Sequence, residues 1–388
     1  MSQTPRTDQN DSLSSRLGFP ETTIEIGPTH PAIRRVMTPV GGTASFIVEL
    51  DDDRITNLEV DIGLGHRGFE KQVESGSWDD ALPYVSRLGW ASGLHAEIAY
   101  CLAAESLAEI ASPDRAIWTR MLVGELARVS DHYARLGATM AAIGLRDAEN
   151  VANAGEELAS EALVAATGGG PLVGFSCFGG IRRALPEHFL EGWSKQRSLI
   201  DDELTRFGSV ATSNPTCTRR LRGVAPLVPE DAIAWSVTGT ALRASGISAD
   251  VRKDRPYLAY GALEFDVPAG EQGDDLDRML VVIEEIRQSL GMIDQCHKIL
   301  SSLGPGEVCV SGEVIIPEGE AVATVESSTG ELAFFVVSDG VGLPRRIRCR
   351  APSFFHAQVL PTMMVGARLD DLLPTVALMH LVSAECDR

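Results

Sequence analysis

The stretch Ser86 to Tyr100, SRLGWASGLHAEIAY, places an arginine and an indole ahead of an imidazole and a carboxylate, His95 and Glu97, which open an apolar helix. Between Arg87 and Ser92 the only reactive groups are one guanidinium and one hydroxyl. No acid, base, thiol or metal ligand is present there. A second set, Glu125, Arg128, His132 and Arg135, recurs at three- and four-residue steps and so shares one helix face. Such a face can relay protons or lock a helix to its neighbours through ion pairs. Its arginine content favours the lock, because arginine-rich networks more often position structure than carry protons.

Other candidates are weaker. GLGHRGFEK, Gly63 to Lys71, sets His66, Arg67, Glu70 and Lys71 among three glycines. It lacks a Gly-Lys-Ser/Thr and a dinucleotide fingerprint, so we read these four residues as structural. TGGG at 167–170 runs into Pro171 without a helix start and reads as a loop. Arg345, Arg346, Arg348 and Arg350 fit an anion site or a strand beside acidic partners equally well. No G-x-S-x-G occurs. The seven cysteines, at 101, 177, 217, 296, 309, 349 and 386, form no Cys-x-x-Cys pair. Zinc, nickel and iron–sulfur ligation are therefore not expected, and the thiols read as reduced and buried.

The elements that must position these groups follow from hydrophobic period. Thr43–Ile62 alternates around Asp51–Asp53 and reads as a hairpin. Leu94, Ile98, Cys101 and Leu102 give a helix running to about Ile110. Ser112-Pro113-Asp114 supplies a helix start with Ser112 as N-cap. The long helix behind it carries Trp118, Leu122, Leu126, Val129, Tyr133, Leu136, Met140 and Ile143, and stops at Gly144. Another helix spans about Asp274 to Leu300. Beyond Gly304 the period becomes two, with strands joined through Ser327–Gly330, and a last helix covers Leu369–Leu381. The fold class is α+β, mainly α: a helical bundle flanked by small N-terminal and C-terminal sheets. We divide it into a flexible tail (1–23), a β-rich region (24–75), a helical core (76–305) and a C-terminal hairpin with a terminal helix (306–388).

Composition restricts the partners. Of 388 residues 44% are hydrophobic, enough for a large core, and the net charge is −20. That charge disfavours binding to nucleic acid and to anionic lipid. No apolar run approaches the ~18–20 residues of a membrane span. The first twenty residues lack the apolar core of a signal peptide.

Six segments together resemble one family: IGPTHPA (26–32), DIGLGHRGFEK (61–71), GELARVSDHYARLG (124–137), RASGISADVRKDRPYLAY (243–260), ESSTGELAFFVVSDG (326–340) and RIRCRAPSFFHAQVL (346–360). The closing ECDR fits as well. The chain resembles the 49-kDa, or D, subunit of respiratory complex I (NADH–quinone oxidoreductase), itself related to the large subunit of nickel–iron hydrogenases. The resemblance implies a hydrogenase-large-subunit-like bundle and a place in the peripheral arm, on the cytoplasmic face of the membrane. It implies neighbours too: a small iron–sulfur subunit, a 30-kDa-type subunit and a membrane-arm subunit. No cofactor is expected on this chain; a [4Fe–4S] cluster in the adjoining subunit and a quinone are implied.

The family pattern is also where this chain departs. In hydrogenases the first Cys-x-x-Cys of the nickel site falls where Gly89 and Ser92 stand, and only Cys386 lies near the second. Nickel needs four thiolates, so hydrogen chemistry is excluded. In complex I the stretch usually carries a quinone-binding tyrosine, replaced here by Trp90; Arg87 is kept and is expected to face the neighbouring cluster. The quinone-binding histidine falls at Gly41, or at Arg34 with a shifted gap. Its aspartate partner corresponds to Ala142, and a C-terminal aspartate to His380. The quinone pocket, positions Gly41, Trp90, Ala142 and His380, is therefore divergent. If Trp90 fills the headgroup position, the pocket beside Arg87 is expected to be closed and apolar. The alternative is a scaffold paralogue that binds no quinone.

Overall fold

A computed structural model describes residues 22–33, 44–89, 93–169, 174–312 and 314–388. The long helix, α4 (Asp114–Ala142), is its axis, preceded by α1 (Phe69–Val73), α2 (Trp78–Val85) and α3 (Gly93–Leu107). α5 (Arg146–Thr167) packs along one side of α4; Tyr133 lies where a Cβ on Gly155 would come within 2.3 Å of its ring. α11 (Asp275–Leu303) covers another side. Between them in sequence lie the short hairpin β4 (Ser176–Cys177) and β5 (Gly180–Ile181), then α6 (Glu187–Phe207) and the short α7 (Pro215–Leu221), α8 (Pro229–Ala234), α9 (Gly239–Ala244) and α10 (Val251–Asp254). The expected α+β, mainly α plan holds.

Both sheets are three-stranded and antiparallel. The first comprises β1 (Thr22–Ile26), β2 (Ser45–Asp51) and β3 (Arg54–Asp61); the second β6 (Gly319–Glu326), β7 (Glu331–Ser338) and β8 (Pro344–Arg350). The expected C-terminal hairpin thus gains a third strand, built from the arginine-rich segment. The Asp51–Asp53 turn forms as expected, with Asp52 at φ 58, a conformation that short polar side chains tolerate.

The sequence divisions do not correspond to separate cores. The first sheet shares its core with α12 (Pro352–Met364) and α13 (Leu372–Leu378). Backbone bonds tie them, Ile55 N–H to Ala367 O at 2.9 Å and Gly366 N–H to Ile55 O at 2.8 Å. The second sheet packs on α1–α3 instead. Two helix ends also differ. Ser112 does not cap α4; Pro113 occupies that position, and the Ser112 hydroxyl accepts from Arg120 at 3.4 Å. The last expected helix is cut short, because His380 takes φ 53 after α13.

Candidate functional site

The four residues spaced along α4 converge on one buried network. Glu125 accepts from Arg252 through both oxygens (3.1 and 3.0 Å), from Arg128 (3.1 Å), Tyr260 (2.6 Å) and Ser289 (2.7 Å). Burial alone would raise its carboxyl; Arg128 and Arg252 outweigh burial and hold it well below the carboxylate range. Arg128 also donates to the carbonyls of Ser327 (2.7 Å) and Glu326 (2.6 Å). The turn that joins β6 to β7 is therefore sunk into the bundle, and guanidiniums satisfy the carbonyls that solvent would otherwise hydrate.

Sequence spacing missed more than half of this network. Arg243 meets Glu285 and Glu326, each at 2.7 Å; Arg252 meets Asp250 (2.7 Å) and Glu285 (2.9 Å). Four guanidiniums (Arg128, Arg135, Arg243, Arg252) thus face five carboxylates (Glu125, Asp131, Asp250, Glu285, Glu326), all buried. Burial, then the Asp250 charge, raises the Glu326 carboxyl against the pull of Arg243 and Arg252.

His132 sits at the centre with an assignable tautomer. Arg135 can only donate, so His132 Nδ1, 3.3 Å from it, accepts; its Nε2–H then donates to Glu285 at 2.6 Å. Burial pushes the imidazole down to about 3, against the pull of Glu285, so the ring is neutral. Arg135 also donates to Thr240 (2.7 Å), to Ser328 O (3.0 Å) and to His380 Nδ1.

The quinone-pocket positions divide. Gly41, Arg34 and Trp90 lie outside the described residues. Ala142 is half-buried in the last turn of α4, against the cluster shared by the first sheet and the C-terminal helices. His380 is buried, with Nε2 3.2 Å from the Asp131 carboxylate and Nδ1 against Arg135. Its imidazole is pushed down, by burial first and then by Arg135. Asp131 also accepts from Ser328.

Arg87 is exposed at the end of α2, its guanidinium donating to Pro83 O. Beside it lies a cavity of about 850 Å³ lined by Arg67, Gln72, Ser75, Asp79, Asp80 and Tyr84 among others. The acids of the first turn of α2, Asp79 and Asp80, face this flank of Arg87, while the expected Trp90 plug lies outside the described residues. Behind it, Glu97 accepts from the backbone N–H groups of Phe175 (2.9 Å) and Ser176 (3.0 Å), and burial pushes its carboxyl up to about 7. Burial pushes His95 down to about 3.

The four residues of the glycine-rich segment do not share one network. Glu70 meets Arg346 at 2.8 Å and Lys71 meets Glu74 at 2.6 Å, while His66 and Arg67 are exposed. The glycines turn the chain so that Gly65 N–H reaches Asp387 (3.1 Å) and only the helical residues face β8. Glu74 also meets Arg346, at 2.9 Å, so the acidic-partner reading holds for that arginine.

Among the described residues no group of three or more His, Cys, Asp or Glu could hold a metal, and no helix is long and apolar enough to cross a membrane. The family model for the respiratory-chain NADH dehydrogenase 49 Kd subunit matches residues 154–312 and 305–388. A D-type NADH-quinone oxidoreductase chain of Thermodesulfovibrio yellowstonii, the one numbered 2, is 33% identical over 94% of this chain and 96% of its own length. The D-type chain of the NADH-quinone oxidoreductase of Pelobacter propionicus is 32% identical over 94% of this chain and 95% of its own. The combined C/D-type chain of the Methylococcus capsulatus enzyme is 33% identical over 94% of this chain and 65% of its own.

Proposed function

This chain belongs to the 49-kDa-subunit family of respiratory-chain NADH dehydrogenase, and from that premise we propose that it is a peripheral-arm core subunit of a complex I-like NADH–quinone oxidoreductase with a divergent acceptor pocket. In this reading NADH is oxidised elsewhere in the assembly, a [4Fe–4S] cluster sits in an adjoining small subunit, and this chain holds no cofactor. Its remaining contacts are with a 30-kDa-type subunit and a membrane-arm subunit, which keep it at the cytoplasmic face of the membrane. The combined C/D-type relative supports a C-type neighbour.

The observation that carries the divergent pocket is the pair of positions 142 and 380. Ala142 offers no acid. His380 stands where the resemblance places an aspartate, and its ring is occupied by Arg135 and Asp131. A general acid must be protonated near the working pH and within hydrogen-bond reach of its target. His380, pushed down by burial, has both ring nitrogens turned to Arg135 and Asp131 rather than to such a target. Arg135 and Asp131 instead fix the ring, so proton delivery to an acceptor has to come from another group or from solvent.

The test is quinone-analogue binding and NADH-driven quinone reduction in the assembled complex, with Trp90→Tyr beside the unmodified chain. The reading predicts that Trp90→Tyr alone leaves quinone turnover unchanged, since position 142 still supplies no acid. A rise in turnover of tenfold or more would overturn it. Absence of quinone-analogue binding by the unmodified complex would favour the scaffold paralogue.

A further inference from the structure

The seven cysteines, isolated in sequence, are not isolated in the fold. Cys177 and Cys309, 132 residues apart, bring their sulfurs to 3.6 Å. Five others, Cys101, Cys217, Cys296, Cys349 and Cys386, are buried, whereas these two are half-buried. Both line a cavity of about 380 Å³ with Ser77, Trp78, Asp79 and Phe178.

The approach is built by the backbone. The segment after α11 pairs with the β4–β5 hairpin, Ile181 N–H to Val308 O at 2.8 Å and Val310 N–H to Gly179 O at 3.0 Å. Gly180 permits it: a Cβ there would lie 2.1 Å from Val308 O. The hairpin is itself anchored. Arg120 donates to Cys177 O and Gly180 O, each at 2.7 Å, and Gly179 N–H donates to Glu105 at 2.7 Å. Two half-buried thiols are thus held in contact on a fixed frame, and bond formation asks the sulfurs to close from 3.6 Å toward the ~2 Å of a disulfide.

We propose that Cys177 and Cys309 form a reversible disulfide when the chain meets a peroxide, stapling the β4–β5 hairpin to the segment that leads from α11 to the second sheet. The Cys309 sulfur attacks a peroxide oxygen; the O–O bond breaks, one water leaves and Cys309 becomes a sulfenic acid. The Cys177 sulfur displaces the hydroxyl as a second water, its own proton leaving with it. Two electrons pass from the sulfurs to hydrogen peroxide, and a dithiol reductant reverses the step by exchange. Burial, then the neighbouring Cys309, pushes the Cys177 thiol up to about 12; exchanging the order of the two sulfurs leaves the balance unchanged.

The test is oxidation of the full-length chain with hydrogen peroxide, thiol titration after denaturation, and mass spectrometry of the non-reduced tryptic digest. The expected result is loss of two of the seven thiols, a linked Cys177–Cys309 peptide, and recovery of both thiols with dithiothreitol. In Cys309→Ser the linked peptide is absent and Cys177 stays titratable. Seven surviving thiols, or oxidation of both cysteines without a linked peptide, would overturn the proposal.

Discussion

Two buried sites of charge, the inner face of α4 and the start of α3, meet the same cost of burial and resolve it differently. On α4 both oxygens of Glu125 are bonded, and two guanidiniums touch them. On α3 Glu97 has one oxygen bonded to two backbone N–H groups and the other without a partner among the described residues. Arg182 and Arg120 act on it only at a distance. The first carboxyl is driven well below its ordinary range, the second up to about 7. Between these two, the difference is that Glu125 touches two counter-charges and Glu97 none. Glu125 is held in one protonation state and serves structure; Glu97 can change state near neutral pH.

The largest expected effect breaks the saturated side. Arg128→Ala strips Glu125 of one partner and leaves the Ser327 and Glu326 carbonyls bare in the core, at a cost of about 3–5 kcal/mol in denaturant unfolding. A wild-type unfolding midpoint would mean that this face is solvated.

The second prediction sharpens the unsaturated side. The Glu97 pKa rises on folding from 4.5 to about 7. Its contribution is therefore fully present below the unfolded value and is lost as pH climbs through the folded one. Glu97→Gln removes that loss, flattening the fall in stability between those values by at most about 3 kcal/mol, less whatever the charged hydrogen bonds supplied. Glu385, also pushed up to about 7, leaves a residual slope. Unfolding free energies of both proteins at either end of the window decide it; parallel curves would contradict the assignment.

The smallest effect on stability is at Arg87. It is exposed, so Arg87→Ala shifts unfolding by no more than about 0.5 kcal/mol. In the assembled complex the same change should lower the potential of a neighbouring iron–sulfur cluster, since a nearby positive charge favours the reduced form. A redox titration with an unchanged potential would remove Arg87 from that role.

Local chemistry was legible in the sequence and distant pairing was not. The hairpin around Asp51–Asp53, α4 and α11 follow from period and turn residues. Glu125, Arg128, His132 and Arg135 were found because a helix face repeats locally. Arg252 and Glu285, which complete that cluster, lie 127 residues from Glu125 and 153 from His132, and no spacing rule spans such gaps. The Ser327–Gly330 turn was visible as a turn, but its burial depends on arginines from another element. Cys177 and Cys309 escaped notice for the same reason. Ser112 misled because its hydroxyl, a good cap, was drawn to Arg120 instead.

The central claim is that the polar face of α4 is a locked network and not a proton relay, and His132 reports on it directly. A relay member must change protonation in its working range. We expect nitrogen NMR of the histidine-labelled chain, with the His132 signal assigned by its loss in His132→Gln, to show one neutral ring protonated at Nε2 from about pH 8 down to about pH 5. That follows from an imidazole pushed down to about 3 by burial and held between Arg135 and Glu285. Titration of that signal near its ordinary value, or exchange between tautomers, would contradict the account.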